Sequence, residues 1–264
     1  KVSGCQFASI VNNVISNCGF SGIKIQDSGR CTIQGNTCNA IGVGVSGDSA
    51  INVSSTVTND AINGRHSITG NTVSDSRCEG ISISLTDPGT VVSSNVVTDT
   101  QFRAIDAIAP ANVSLINNTI INWGTGYTGT ETPYQGLIFS ETCRVIGNLA
   151  YRTDGDVTIA PAFASALTGI IPNDGTVFAN NICVSTGAQF TFTIDHDKIG
   201  LNWGNVITGY GGKILRGNTA PTAGTFEVGD KMFNSEPTPG EALGWICTTS
   251  GTPGTWKDMA PISL

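Results

Sequence analysis

Asp75 and Asp99 stand 24 residues apart, and so do Glu79 and Arg103. Asp106 follows Arg103 by three residues. Paired carboxylates are the equipment of glycoside hydrolysis: one protonates the leaving oxygen while the other serves as nucleophile or as base on a water. Like charges held close raise one pKa and keep an acid protonated near neutrality. A guanidinium beside them would hold a uronate or sialate carboxylate through two parallel bonds, or act in a lyase. Asp75, Glu79, Asp99 and Asp106 are therefore candidate catalytic residues, and Arg103 is a candidate substrate-binding residue. The same groups have a plain structural reading. Glu79 with Arg103 would make an ordinary surface ion pair, and Asp75 and Asp99 would form turns.

Whether these groups meet depends on the period of the chain. An asparagine returns within the same short pattern at Asn13, Asn36, Asn71, Asn95, Asn118, Asn148 and Asn181. The intervals are 23, 35, 24, 23, 30 and 33 residues. The short intervals give the basic period, and the long ones are that period plus a loop. Self-similarity at a fixed period is the mark of a solenoid.

The columns around the asparagine identify the repeating unit. Three residues before it stand Ile10, Ile33, Ile68, Val92, Leu115, Val145 and Phe178. Two residues after it stand Ile15, Cys38, Val73, Val97, Ile120, Ala150 and Cys183. Such residues suit a pleated surface. Positions 0 and +2 share a side of a strand, whereas −3 has the opposite parity. The chain must therefore bend between −3 and 0, and the residue at −1 is Gly, Ser or Asn, which tolerates a bend. A second apolar pair follows: Ile23 and Ile25, Val43 and Val45, Ile81 and Ile83, Ile105 and Ala107, Leu137 and Phe139. Strand, bend, strand and turn in register predict an all-β fold, a right-handed single-stranded parallel β-helix. Apolar spacings of three and four, which would signal helices, are missing. Adjacent rungs lie about 4.8 Å apart, so the asparagines should form a structural ladder of stacked amides rather than a ligand site.

This register stacks Asp75 on Asp99 and Glu79 on Arg103, with Asp106 beside Ser82. Residues 124–134 form an insertion between rungs. Trp123, Tyr127 and Tyr134 in and beside it are candidate sugar-stacking residues, with Trp203 as a further ring. The same rings would equally suit an interface between subunits. Asp195-His196-Asp197-Lys198 is a second candidate acid–base group, or a solvated loop. His66 aligns with Cys31, Thr90, Val113 and Cys143 and reads as structural.

Composition agrees with an all-β chain: 12% charged, 39% hydrophobic and 33 glycines in 264 residues. The net charge is −7, with no Lys/Arg cluster, which argues against phosphate-backbone binding to nucleic acid. No apolar run approaches the length of a membrane span, so no membrane insertion is expected. The eight cysteines contain no CxxC pair, which argues against a zinc site, and neither a metal nor a cofactor is expected. Cys38 and Cys183 fall in the core column and read as small free-thiol hydrophobes, the state a cytoplasm maintains. The sequence starts at Lys1 and enters the first rung at once, so further rungs are expected ahead of it.

The period is lost near Gly217. The sequence divides into a β-helix, residues 1–216, and a small C-terminal β module, residues 217–264. Short apolar and aromatic strands alternate there with Pro/Gly turns, and Phe226, Phe233, Trp245 and Trp256 supply the apolar content. The stretch from Gly224 to Lys257, with its Gly229-Asp230-Lys231-Met232-Phe233-Asn234 and Gly244-Trp245-Ile246-Cys247 segments, resembles the C-terminal module of bacteriophage tailspike and tail-fibre proteins. The preceding repeats are similar to the β-helices of those proteins and of polysaccharide lyases. The resemblance implies a homotrimer in a virion tail, assembled in the host cytoplasm and joined to other tail proteins through a further N-terminal part. It implies adsorption to a bacterial surface polysaccharide, capsule or O-antigen, and often its depolymerisation. A non-cleaving tail adhesin and a secreted β-helix lyase or epimerase are the alternatives.

Overall fold

The computed structural model describes residues 1–42, 49–55, 65–84, 89–107, 112–126, 134–139, 142–152, 162–165, 173–185, 199–203, 205–208, 214–224, 226 and 228–260. The chain is all-β and divides into two compact units, Lys1–Val206 and Ile207–Leu264. The second unit starts ahead of residue 217 because Ile214–Gly217 pairs with Lys231–Asn234 and so belongs to the module's sheet.

Three parallel sheets of seven, eight and eight strands carry the repeats. Sheet I runs from Val2–Ser3 through Ile23–Gln26, Ile51–Ser54, Ile81–Ser84, Ile105–Ala107 and Leu137–Phe139 to Phe163–Ser165. Sheet II starts at Ser9–Val11 and continues with Thr32–Gln34, Ser67–Thr69, Val91–Ser93, Ser114–Ile116 and Arg144–Ile146. Sheet III starts at Val14–Cys18 and continues with Thr37–Ile41, Thr72–Ser74, Val96–Thr98, Thr119–Ile121 and Leu149–Arg152. The chain visits the three sheets in turn and pairs each strand with its counterpart one period later, an arrangement compatible with a parallel β-helix.

The apolar columns point inward as their parity requires. Ile33, Ile68, Val92, Leu115 and Val145 of sheet II are fully buried, and so are Cys38, Val73, Val97, Ile120 and Ala150 of sheet III. In sheet I the register pairs Ile51 and Val53 with Ile23 and Ile25 on one side and Ile81 and Ile83 on the other. Ile51 and Val53 therefore fill the place expected for Val43 and Val45, which lie outside the described residues. Toward the later rungs the core turns aromatic, with Phe178 stacked on Phe139 at 5.9 Å and edge-on to Phe163 at 5.7 Å.

Left-handed residues make the corners. Position −1 has φ of 57° at Asn12, 55° at Ser94, 53° at Asn117 and 54° at Asn180, with glycines at 35, 70 and 147. Glycine and asparagine are the residues that enter this region at least cost.

Just past this corner the asparagines form a continuous ladder. Asn95 shows the unit: its Nδ2 donates to Asn118 Oδ1 at 2.9 Å and to the Ile68 carbonyl at 2.9 Å. Its Oδ1 accepts from the Asn71 backbone N–H at 2.9 Å and from Asn71 Nδ2 at 3.0 Å. The amide thus ties down the backbone on both sides of the preceding rung's corner and links three rungs at once, which neither a carboxylate nor a hydroxyl can do with the same valences. The ladder extends beyond the seven sequence repeats to Asn205, which accepts from Asn181 Nδ2 at 2.9 Å.

The eight cysteines are free, and six of them are buried. Burial pushes the Cys38 thiol up to about 11 and the Cys183 thiol up to about 12, so both act as apolar filling.

Candidate functional site

The register brings the carboxylates together as far as the backbone is concerned. Ser74 pairs with Thr98, so Asp75 and Asp99 follow at the same corner of adjacent rungs. Gly80 N–H donates to the Arg103 carbonyl at 3.0 Å, which stacks Glu79 on Arg103. Ser82 pairs with Asp106 in sheet I. All five residues therefore lie on the edge where sheet III turns into sheet I.

The side chains are less cooperative. Asp75 and Asp99 are exposed and left-handed, at φ 52° and 54°, in a column that also holds Asn17, Ala40 and Asn122 at 55°, 52° and 50°. The column demands a left-handed residue, and Asp and Asn supply one by bonding locally. Asp75 Oδ2 accepts from Asn39 Nδ2 at 3.2 Å, and Asp99 Oδ1 accepts from Asn122 Nδ2 at 3.0 Å. Glu79 is half-buried and accepts from Ser49 Oγ at 3.5 Å.

Arg103 does not form the expected pair with Glu79. Its Nη1 donates to Asp106 Oδ2 at 2.9 Å, and its Nε donates to Gln135 Oε1 at 2.9 Å. Asp106 sits three residues along the same bend, and Gln135 sits in the next rung. Between them they aim the guanidinium along the edge rather than down onto Glu79. Beside it the half-buried Tyr134 ring meets Phe102 edge-on at 4.6 Å.

Trp123 differs from its expected role. It is fully buried, with the Arg152 guanidinium 5.5 Å from its ring centroid. A ring enclosed in the core offers no face to a sugar, so Trp123 is packing. It precedes the left-handed Gly124, at φ 68°, and its indole stays inside. Tyr127 and the Asp195–Lys198 group lie outside the described residues. His66 is buried, and its Nδ1 accepts from the Cys31 N–H at 3.2 Å, a structural role. Burial holds its pKa down at about 4, against a smaller opposing effect of the Ser28 backbone.

The surface flanking Asp75 and Asp99 is a sheet face of mixed hydroxyl, amide and aliphatic side chains. Outward positions of sheet III align Thr37, Thr72, Val96 and Thr119 in one column and Asn39, Ser74, Thr98 and Ile121 in the next. Asn39 Nδ2 donates to Ser74 Oγ at 2.8 Å. Hydroxyls and amides at strand spacing, edged by carboxylates, offer both hydrogen-bond donors and acceptors. Gln135, Phe102 and Asn39 escaped the sequence reading. Gln135 and Phe102 had no repeating column to mark them, and Asn39 sits one place before the column that was read.

Compared with known protein families, curated proteins and solved structures, the chain matches none.

Proposed function

We propose that this chain is part of a bacteriophage tailspike, a homotrimer of right-handed parallel β-helices that binds a bacterial capsule or O-antigen during adsorption and depolymerises it. The observation that carries this reading is the stacked register of Asp75 with Asp99 and of Glu79 with Arg103 on one corner edge. Carboxylates one strand spacing apart, about 4.8 Å, approach the separation of about 5 Å at which a retaining glycosidase works. In that reaction one of Asp75, Glu79, Asp99 and Asp106 gives its proton to the glycosidic oxygen while a neighbour attacks the sugar carbon. Arg103 and Tyr134 would hold the substrate. The likeness of residues 224–257 to phage tail modules supports the virion setting.

Purified chain would be sized by light scattering and incubated with capsules and O-antigens from a strain panel, with products read by mass spectrometry. The proposal expects a trimer that releases defined oligosaccharides, and unsaturated ends would mark a lyase. A monomer without glycan binding would refute it. Asp99→Asn and Glu79→Gln should abolish turnover, and both substitutions keep the side-chain shape, with Asn also suited to the left-handed corner. Unchanged turnover in both variants would remove the site assignment.

A second reading, a non-cleaving adhesin of the same fold, draws on the hydrogen bonds above. Asp75, Asp99 and Asp106 are each already held by a neighbour, so their roles in the corners account for them without chemistry. A trimer that binds a glycan and leaves its length unchanged would select this reading.

A further inference from the structure

The module's four-stranded sheet separates its charges by face. Paired residues across a sheet share a face, as do residues two apart along a strand. Lys231 pairs with Ile246, and Ile246 pairs with Lys257. Phe233 is two residues beyond Lys231 and pairs with Arg216. One face therefore carries Arg216, Lys231 and Lys257 around Phe233 and Ile246. All three cations are exposed, and Phe233 is 40% exposed. None of the three makes an ion pair among the described residues.

The opposite face carries Met232, Trp245, Cys247, Trp256 and Asp258. There Cys247 is buried and Phe226 packs edge-on against Trp256 at 5.1 Å. That face is the module's core. The described carboxylates all avoid the cationic face: Asp230 is buried, Asp258 is on the core face, and Glu236 and Glu241 lie in the loop beyond the strands. Among the described residues, a chain of net charge −7 thus keeps one cationic and apolar face clear of carboxylates.

The geometry points to this face as a docking surface for an acidic polysaccharide. Lys231 and Lys257 lie two strand spacings apart, about 10 Å, with an apolar body between them. Such a surface can meet carboxylates spaced along a polymer while Phe233 and Ile246 contact the C–H faces of the sugar rings. Nucleic acid fits less well, because three cations set in an acidic chain oppose a phosphate at about every 1.7 Å of duplex. The inference rests on the glycan-binding reading for its class of ligand, and it adds the acidic character and a second contact point.

The test uses the full chain, fluorescent alginate as the uronate polymer, neutral dextran as the control, and a DNA duplex as competitor. The comparison variant carries Arg216→Gln, Lys231→Gln and Lys257→Gln, with its fold checked by the near-ultraviolet signal of Trp245 and Trp256. The expected result is alginate binding that weakens with salt and falls at least about tenfold in the variant, with dextran ignored. Equal alginate binding by variant and parent, equal binding of dextran, or DNA competing as well as alginate would each overturn the inference. So would a variant that changes only the oligomeric state. The readings fail separately. Loss of all panel-glycan binding with alginate binding intact counts against the tailspike proposal alone, and the reverse pattern counts against this face alone.

Discussion

Replacing Asn95 by alanine tests the central claim about the fold, that the amide ladder closes one corner of every rung. The substitution removes the Oδ1 that accepts from both the backbone N–H and the Nδ2 of Asn71. Two donors in the buried interior lose their partner, and the Ile68 carbonyl loses a donor. Asn118 Oδ1 keeps one bond, from the Asn95 backbone N–H at 3.1 Å. At about 1–3 kcal/mol for each stranded buried donor, the cost is about 2–6 kcal/mol. Asn13→Ala is the control. Asn13 is exposed, its Nδ2 donates to Asn36 Oδ1 and to the Val11 carbonyl, and no donor among the described residues reaches its Oδ1. Its loss strands no buried donor and should cost under about 1 kcal/mol. Asn95→Asp should be worse than alanine, because a carboxylate cannot donate to Asn118 Oδ1 or Ile68 and brings a buried charge. Urea unfolding followed by far-ultraviolet circular dichroism would rank the three variants by midpoint at constant slope, or by unfolding rate if refolding fails. An Asn95→Ala variant no less stable than Asn13→Ala would refute the reasoning.

Further outcomes follow from other positions. His66 takes a proton at about 6.5 when unfolded and at about 4 in place, so the unfolded state binds more protons between these values. Its contribution is present above pH 6.5 and is lost as the pH falls toward 4, by up to about 3 kcal/mol. His66→Thr, the residue type of the next rung, should flatten the difference in stability between pH 7 and pH 4.5 relative to the parent. Ala40 sits left-handed at φ 52° without a side chain that favours it, so Ala40→Gly should raise stability by about 1 kcal/mol in the same urea assay. Gly147→Ala should cost more than Gly70→Ala. Both are left-handed, but a new Cβ at Gly147 would run into Asn117 Oδ1, whereas at Gly70 it would meet open space. Equal costs would show that conformation alone decides there.

The candidate site was legible only as far as the backbone register carries. Because the period places Asp75 beside Asp99 and Glu79 beside Arg103, counting from the asparagines finds these neighbours without coordinates. The count does not say where a long side chain turns. Arg103 has Glu79 in the adjacent rung, Asp106 three residues on and Gln135 above it, and the bend geometry decides for the last two. The count also cannot tell whether a residue beside an insertion points in or out, which is why Trp123 reads as a platform in sequence and lies in the core.

Sequence alone determined the period, the bend ahead of each asparagine and the inward columns, because side-chain alternation and a bend-tolerant residue are local constraints repeated in every rung. The asparagine ladder was equally visible up to Asn181, and it faded at Asn205 because position −3 there is the polar Asn202. Tertiary structure decided what depends on the third dimension. It put Ile51 and Val53 in the place expected for Val43 and Val45, since strand pairing, and not apolar composition alone, decides which apolar pair joins the sheet. It also separated the module's described cations from its described carboxylates, since the face a residue occupies follows from cross-strand register.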